Sequence, residues 1–149
     1  MPGLLIIAHA PLASALRDAA MHAFPEAAQA IAVYDVLPNA SAETGLAEAT
    51  ALLTAMEDKE TLILTDVFGA TPCNIARHLT GRPGVRVVAG VNVPMIWRAL
   101  NYRQKSLDDI ASLALAGASQ GVMAVALTRP QNQPRPPASH DSIDSHHQQ

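Results

Sequence analysis

Aromatic side chains are scarce in this chain of 149 residues: one tryptophan, two tyrosines and two phenylalanines, 3% of the total. Nucleic-acid surfaces usually combine stacking aromatics with a basic field. Here the formal charge is -3, so the composition argues against a nucleic-acid partner. Charged residues of both signs reach only 15%, with no long run of one sign, and no polyanion is implied. The single cysteine, Cys73, has no partner for an intramolecular disulfide, and one thiol does not make a metal site. No apolar run approaches the roughly 18 residues of a membrane span. The first run, Leu4 to Ala8, is too short for a signal peptide and lacks a basic flank. These absences predict a soluble, cytoplasmic chain without direct membrane insertion, in which the sequon Asn39-Ala40-Ser41 goes unused. A Walker lysine motif, a Gly-x-Gly-x-x-Gly turn and metal-ligand spacings are also missing, so no metal and no cofactor is expected.

What the chain does have is apolar material, 49% of all residues, enough for one domain with a real core and not for two. Val, Ile, Leu, Met and Ala must fill that core. Composition shifts near Thr128, dividing the chain into a domain over 1–128 and a tail over 129–149. The tail opens on Arg129-Pro130-Gln131-Asn132-Gln133-Pro134-Arg135-Pro136-Pro137 and is otherwise Ser, His, Asp and Gln. It has too little apolar surface to offset the entropy of ordering and is expected to be disordered. Its His140, His146 and His147 read as part of a solvated low-complexity stretch.

Within the domain, strand and helix patterns alternate. Leu4 to Ala8 reads as a strand buried on both faces of a parallel sheet. A helical pattern follows through Leu12, Leu16, Ala19, Ala20 and Ala23, with Pro11 near its first turn. Ile31 to Tyr34 is a second strand, and about Ser41 to Met56 a second helix. Leu62 to Leu64 is a third strand, ending at Thr65-Asp66. Thr71 as N-cap and Pro72 at the first helical position start a short helix. Val85 to Val91 is a fourth strand, and Asn92-Val93-Pro94 turns into another helix that places Met95 and Trp97 over the sheet. Ser106-Leu107-Asp108-Asp109 reads as a capping box for the last helix. Val122 to Leu127 is expected as a C-terminal edge strand. The fold class is therefore α/β: a doubly wound, mostly parallel sheet in strand order 2-1-3-4.

In such sheets ligands bind beyond the carboxyl ends of the strands, where the strand order reverses. The residues at the two relevant ends are His9 and Asp66. Each precedes a helix with proline at its start, and two helix N-termini aimed at one spot would make an anion site without a cationic side chain. A carboxylate accepting the Nδ1–H of His9 would fix the tautomer and leave Nε2 as nucleophile. Thr71 offers a hydroxyl and a helix-N-terminal amide to phosphoryl oxygens, and Gly69 allows close backbone approach. Each residue also has a plain structural reading: His9 as a strand-end histidine, Asp66 as a turn former, Thr71-Pro72 as a helix start. His22 and His78 read as surface residues, and Cys73 as a packed small side chain.

Three segments together, Ile6-Ile7-Ala8-His9, Asp66-Val67-Phe68-Gly69-Ala70-Thr71-Pro72-Cys73-Asn74 and Ala89-Gly90-Val91-Asn92-Val93-Pro94-Met95, resemble the mannose-type enzyme IIA of the bacterial phosphoenolpyruvate:sugar phosphotransferase system. The resemblance spans roughly residues 3 to 127. It implies a dimeric α/β phosphocarrier, phosphorylated on Nε2 of His9, with Asp66 as partner and Thr71 in a phosphate-binding loop with Gly69 and Ala70. It also implies a histidine phosphocarrier protein as donor and a IIB component as acceptor. The family often carries Gly-Gly where this chain has Gly69-Ala70. Its better-known members continue through a linker into IIB, so here a separate IIB protein, or a regulatory target, is the expected acceptor. Other readings are a regulatory module switched by His9 phosphorylation, the phosphocarrier subunit of dihydroxyacetone kinase, and a flavodoxin-like binder without covalent chemistry.

Overall fold

The computed structural model describes residues 1–127; the tail, and with it the tail's expected disorder, lies outside them. Four strands form one parallel sheet: β1 (Gly3–His9), β2 (Ile31–Val36), β3 (Thr61–Thr65) and β4 (Val85–Ala89), in the order β2-β1-β3-β4. Five helices connect them: α1 (Leu12–Ala23), α2 (Ala42–Ala55), α3 (Thr71–Arg77), α4 (Val93–Asn101) and α5 (Leu107–Gln120). A short 3-10 helix, Pro25–Ala30, precedes β2 and has no counterpart in the sequence pattern read above. Its position is fixed in part by Arg17, whose guanidinium donates to the Ala28 and Ile31 carbonyls.

The central strand β1 is buried from Gly3 to Ala8, which its unbroken apolar run requires. Successive side chains of a strand point to opposite faces, and β1 feeds two cores accordingly. Leu4, Ile6 and Ala8 join α1, α4 and α5 on one face, with Leu16, Met95, Ile96 and Ile110. Leu5 and Ile7 join α2 and α3 on the other, with Ala49, Ile63, Ile75 and Leu79. Each fully buried Leu or Ile contributes about 1.5–3 kcal/mol, so both faces hold β1 in place and its carboxyl end has little freedom.

Local chemistry sets the helix starts. The Ser41 hydroxyl accepts from the Thr44 amide, Asn92 Oδ1 from the Met95 amide at 2.9 Å, and the Ser106 hydroxyl from the Asp109 amide at 3.2 Å. Strand ends differ slightly from the pattern. β4 stops at Ala89 rather than Val91 because Gly90 turns the chain at φ 89°, a conformation that side chains with a Cβ rarely adopt.

Two expectations are corrected. Trp97 does not cover the sheet: 45% of it is exposed, because α4 turns Met95, Ile96, Ala99 and Leu100 inward and leaves position 97 on the outer side of that stripe. Val122 to Leu127 is not a strand either. Every residue from Gly121 to Leu127 is exposed, and none pairs with β4. Apolar composition makes a segment able to join a sheet, but a strand exists only when a neighbour supplies the ladder.

Thr65, at the end of β3, is wholly buried, and its hydroxyl is the buried side-chain polar atom left without a hydrogen-bond partner among the described residues. A buried hydroxyl without a partner is destabilising by about 1–3 kcal/mol. Thr65→Val, nearly isosteric, is therefore expected to stabilise the fold by about 1 kcal/mol and raise Tm by roughly 2–4 °C. An unchanged or lowered Tm in thermal melts would show that the hydroxyl has a partner, such as an internal water.

Candidate functional site

β1 and β3 are adjacent and parallel, with Ile7 opposite Thr65. Their carboxyl ends therefore lie side by side, and His9 and Asp66, 57 positions apart in sequence, meet. One carboxylate oxygen, Asp66 Oδ2, receives two groups of the same residue: the His9 backbone N–H at 2.9 Å and the ring nitrogen Nδ1 at 2.6 Å. The other, Oδ1, accepts the Val67 amide at 2.8 Å. The His9 side chain is half exposed, whereas that of Asp66 is only 11% exposed.

Burial by itself would raise the Asp66 pKa. The hydrogen bonds from the His9 amide and ring, the Val67 amide and the charge interaction with His9 outweigh it, and the carboxyl lies below its ordinary value. Asp66 is thus an ionised acceptor at neutral pH. A carboxylate can only accept, so Nδ1 must be the donor, and in the neutral imidazole Nε2 then carries the lone pair. Two further bonds hold Asp66 from behind. The Gly90 amide donates to the Asp66 carbonyl, and the Val91 amide to the Thr65 carbonyl at 2.9 Å. Gly90 and Val91 therefore support the Thr65–Asp66 backbone, a role that only the tertiary contacts show.

The loop from Val67 to Ala70 leads from Asp66 into α3. Gly69 adopts φ 91° within it, which suits glycine and strains other residues. The helix begins differently from the sequence expectation. Ala70 is the N-cap, Thr71 the first helical residue and Pro72 the second, and no side chain caps the end. Thr71 is therefore not the N-cap, and its hydroxyl makes no capping bond. The Ala70 amide donates to the Val67 carbonyl at 3.3 Å inside the loop, and the Asn74 side-chain amide to the Gly69 carbonyl at 3.4 Å. Cys73 is buried, while His22 and His78 are exposed.

No side chain caps the start of α3, whereas that of α1 is closed from within the protein. At the start of α1 the Asp35 carboxylate accepts both the amide and the hydroxyl of Ser14. That helix end already has its anion, supplied by β2, and the dipole there is answered from within the protein. Among the described residues no group of three His, Cys, Asp or Glu side chains comes together as a metal cage would need. Of four surface cavities of about 130, 230, 290 and 360 Å³, none includes His9, Asp66 or Thr71.

Residues 3–114 match the family model described as the PTS system fructose IIA component, EIIA-man. The chain belongs to this family, and with it to the phosphotransfer components of the phosphotransferase system. Solved structures agree. The mannose/sorbose-specific IIA subunit from Enterococcus faecalis is 25% identical with a TM-score of 0.78, covering 87% of this chain and 98% of that one. The EIIA component from Streptococcus agalactiae is 20% identical with a TM-score of 0.72, covering 83% and 97%. A sigma-54 interaction domain protein from Enterococcus faecalis shares the fold at 15% identity and a TM-score of 0.65, covering 80% and 92%. No curated protein matches the chain.

The ion state of Asp66 gives a pH test. A carboxyl whose folded pKa lies below its unfolded value, about 3.9, contributes stability that is present above that value and lost as pH falls through the folded pKa. Asp66→Asn removes this contribution. The stability gap between wild type and Asp66→Asn, measured by urea melts, is expected to be constant near neutrality and to close below about pH 4. A gap that persists undiminished at pH 2 would show that the carboxylate form of Asp66 is not what stabilises the site.

Proposed function

We propose that this protein is a cytoplasmic phosphoryl carrier of the sugar phosphotransferase system. It accepts a phosphoryl group on His9 Nε2 from a histidine phosphocarrier protein and passes it to a separate IIB component. The observation that carries this reading is the Nδ1–Asp66 hydrogen bond, which leaves Nε2 as the free nucleophile on an exposed ring. The half-exposed ring supports it too, because a protein donor or acceptor can reach it from solvent. No helix among the described residues is long and apolar enough to cross a membrane.

In the proposed step the Nε2 lone pair attacks phosphorus. The new P–N bond forms as the bond from phosphorus to the donor's imidazole breaks, and that imidazole leaves with the electron pair. His9 then carries the phosphoryl group with its Nδ1 proton retained, and the Asp66 carboxylate stabilises the positive charge developing on the ring. Thr71 and the amides of Gly69 and Ala70, at the uncapped start of α3, are assigned to the phosphoryl oxygens. Because the Ala70 amide already has the Val67 carbonyl within reach, binding there requires the loop to adjust. Transfer to IIB is the same step in reverse, with the acceptor's nucleophile at phosphorus.

The fold shared with the sigma-54 interaction domain protein favours a second reading, a regulatory module whose His9 phosphorylation state controls a partner without sugar transport. Both readings need the same acceptor residue, and the fate of the phosphate separates them. With phosphoenolpyruvate and the two general phosphotransferase proteins, wild type is expected to take acid-labile, base-stable phosphate on His9, and His9→Ala none. Label that leaves on adding IIB supports transport; label that stays supports regulation. Normal labelling of His9→Ala would overturn both. Asp66→Asn is expected to fold and to accept phosphate on the order of 10² to 10³ more slowly. A loss within about threefold would reduce Asp66 to a turn residue.

We further assign the protein a homodimer. β4 is an edge strand, paired with β3 on one side and with no strand of the described residues on the other, and a cavity of about 290 Å³ runs beside it. The exposed apolar segment Val122–Leu127 has no seat on its own chain; an unpaired edge in one copy and an unpaired apolar segment in another fit each other. On a sizing column, truncation after Leu127 is expected to leave the dimer intact. Truncation after Gly121 is expected to give monomer or insoluble protein. A dimer that survives the shorter truncation would place the interface elsewhere.

A further inference from the structure

Trp97 is the one tryptophan of the chain, and it is 45% exposed. It lines a cavity of about 360 Å³ between α4 and α5, the largest of the four. Phe24 and Pro94 share the lining, with three polar side chains, Arg98, Asn101 and Gln120. A cavity of this size, with apolar walls and a few polar groups, falls at the lower end of the range of small-molecule sites. Two more of its lining residues, Gly117 and Gly121, lie one turn apart on the side of α5 that meets α4. A Cβ on Gly117 would come within 2.7 Å of the Arg98 Cβ, and one on Gly121 within 2.6 Å of the Pro94 Cγ. Glycine is what lets the two helices pass so closely, and it leaves the backbone at the carboxyl end of α5 bare at the cavity.

Charge and hydrogen-bonding capacity decide what fits there. Arg98 is the one charged residue of the lining, and its Nη2 donates to Gln120 Oε1 at 3.1 Å. α5 ends at Gln120, and the carboxyl end of a helix carries partial negative charge and carbonyls without partners inside the helix. Arg98 opposes a cation and the helix end opposes an anion, so a neutral ligand is favoured. A guanidinium only donates, a carbonyl only accepts, and the amides of Asn101 and Gln120 do both. The ligand must therefore donate and accept in several directions while presenting an apolar face to Trp97 and Phe24. We infer that this cavity binds a neutral sugar in its ring form, with the C–H face of the ring on the indole and its hydroxyls paired with Arg98, Asn101 and the end of α5. Each sugar hydroxyl donates one hydrogen bond and accepts others, and a closed ring has little freedom to lose on binding. An open-chain polyol has the hydroxyls without the fixed apolar face, and a phosphorylated sugar brings an anion to the helix end. None of His9, Asp66 and Thr71 lines this cavity, so the inference goes beyond the carrier reading and does not depend on it.

With a single tryptophan, the fluorescence of the full chain reports on this cavity directly. The chain is titrated with glucose, mannose and galactose, and separately with sorbitol, glucose 6-phosphate and inorganic phosphate. At least one hexose is expected to change the emission saturably, with half-saturation on the order of 1 mM. Sorbitol and glucose 6-phosphate are expected to bind at least tenfold more weakly, and inorganic phosphate not at all. The side-chain amide signals of Asn101 in NMR spectra are expected to shift over the same concentrations. Asn101→Ala, a change at an exposed position, is expected to leave Tm unchanged and to weaken the hexose at least fivefold. No saturable change with any hexose up to about 100 mM would overturn the inference, and so would unchanged binding by Asn101→Ala. Tighter binding of glucose 6-phosphate or phosphate would also overturn it, by making the cavity an anion site. Emission that responds only to an added phosphotransferase protein would overturn it in favour of a protein contact. His9→Ala is expected to bind the hexose as wild type does, so a failure of His9 to take label would count against the carrier reading alone.

Discussion

The arrangement at the carboxyl end of the sheet depends on one carboxylate. Asp66 accepts three hydrogen bonds through two oxygens, and two of them come from His9, one from its backbone and one from its ring. The backbone bond fixes where the last residue of β1 sits, and the ring bond fixes how its side chain turns. A single acceptor therefore sets position, orientation and tautomer together. This is only achievable because β1 and β3 are neighbours, so that residues 57 apart end at the same level. The Gly90 and Val91 amides then hold the Thr65–Asp66 backbone from the side of β4. Three of the four strands thus converge on one pair of side chains.

Electrostatics at the site is local. The protein carries a net charge of -3, and neither the His9–Asp66 pair nor the loop that follows it includes a lysine or arginine. Positive potential there comes from backbone N–H groups at the start of α3, which no side chain caps. The corresponding end of α1 is closed by Asp35. The two helix starts therefore differ: Asp35 closes that of α1, and no side chain caps that of α3.

Much of the fold was legible in the sequence, and for a physical reason. Strands buried on both faces must be continuous apolar runs, so Leu4–Ala8 and Leu62–Leu64 announced themselves, and alternation with helical patterns left few topologies. The cap at Ser106 was equally readable, since a capping bond is made within three residues. Errors arose where a local pattern admits two outcomes. Trp97 is apolar and lies in a helix, but its face depends on where the stripe falls. Thr71 has the chemistry of an N-cap, yet Ala70 takes that place because the Gly69 turn sets where the helix begins. Val122–Leu127 has the composition of a strand and lacks a neighbour within the chain.

The sequence by itself determined the class of the fold, the strand ends at which chemistry would sit, and the residue types available there: an imidazole, a carboxylate, a glycine and a hydroxyl. Those properties are local, because burial and capping are written in spacings of a few residues. Only the tertiary structure decided which oxygen of Asp66 meets which nitrogen of His9, that Asp35 closes α1, that Gly90 supports Asp66 from behind, and that Phe68 lines a cavity beside β4. Each of these is a distance between residues far apart along the chain, and such distances exist only once the sheet has assembled in its order.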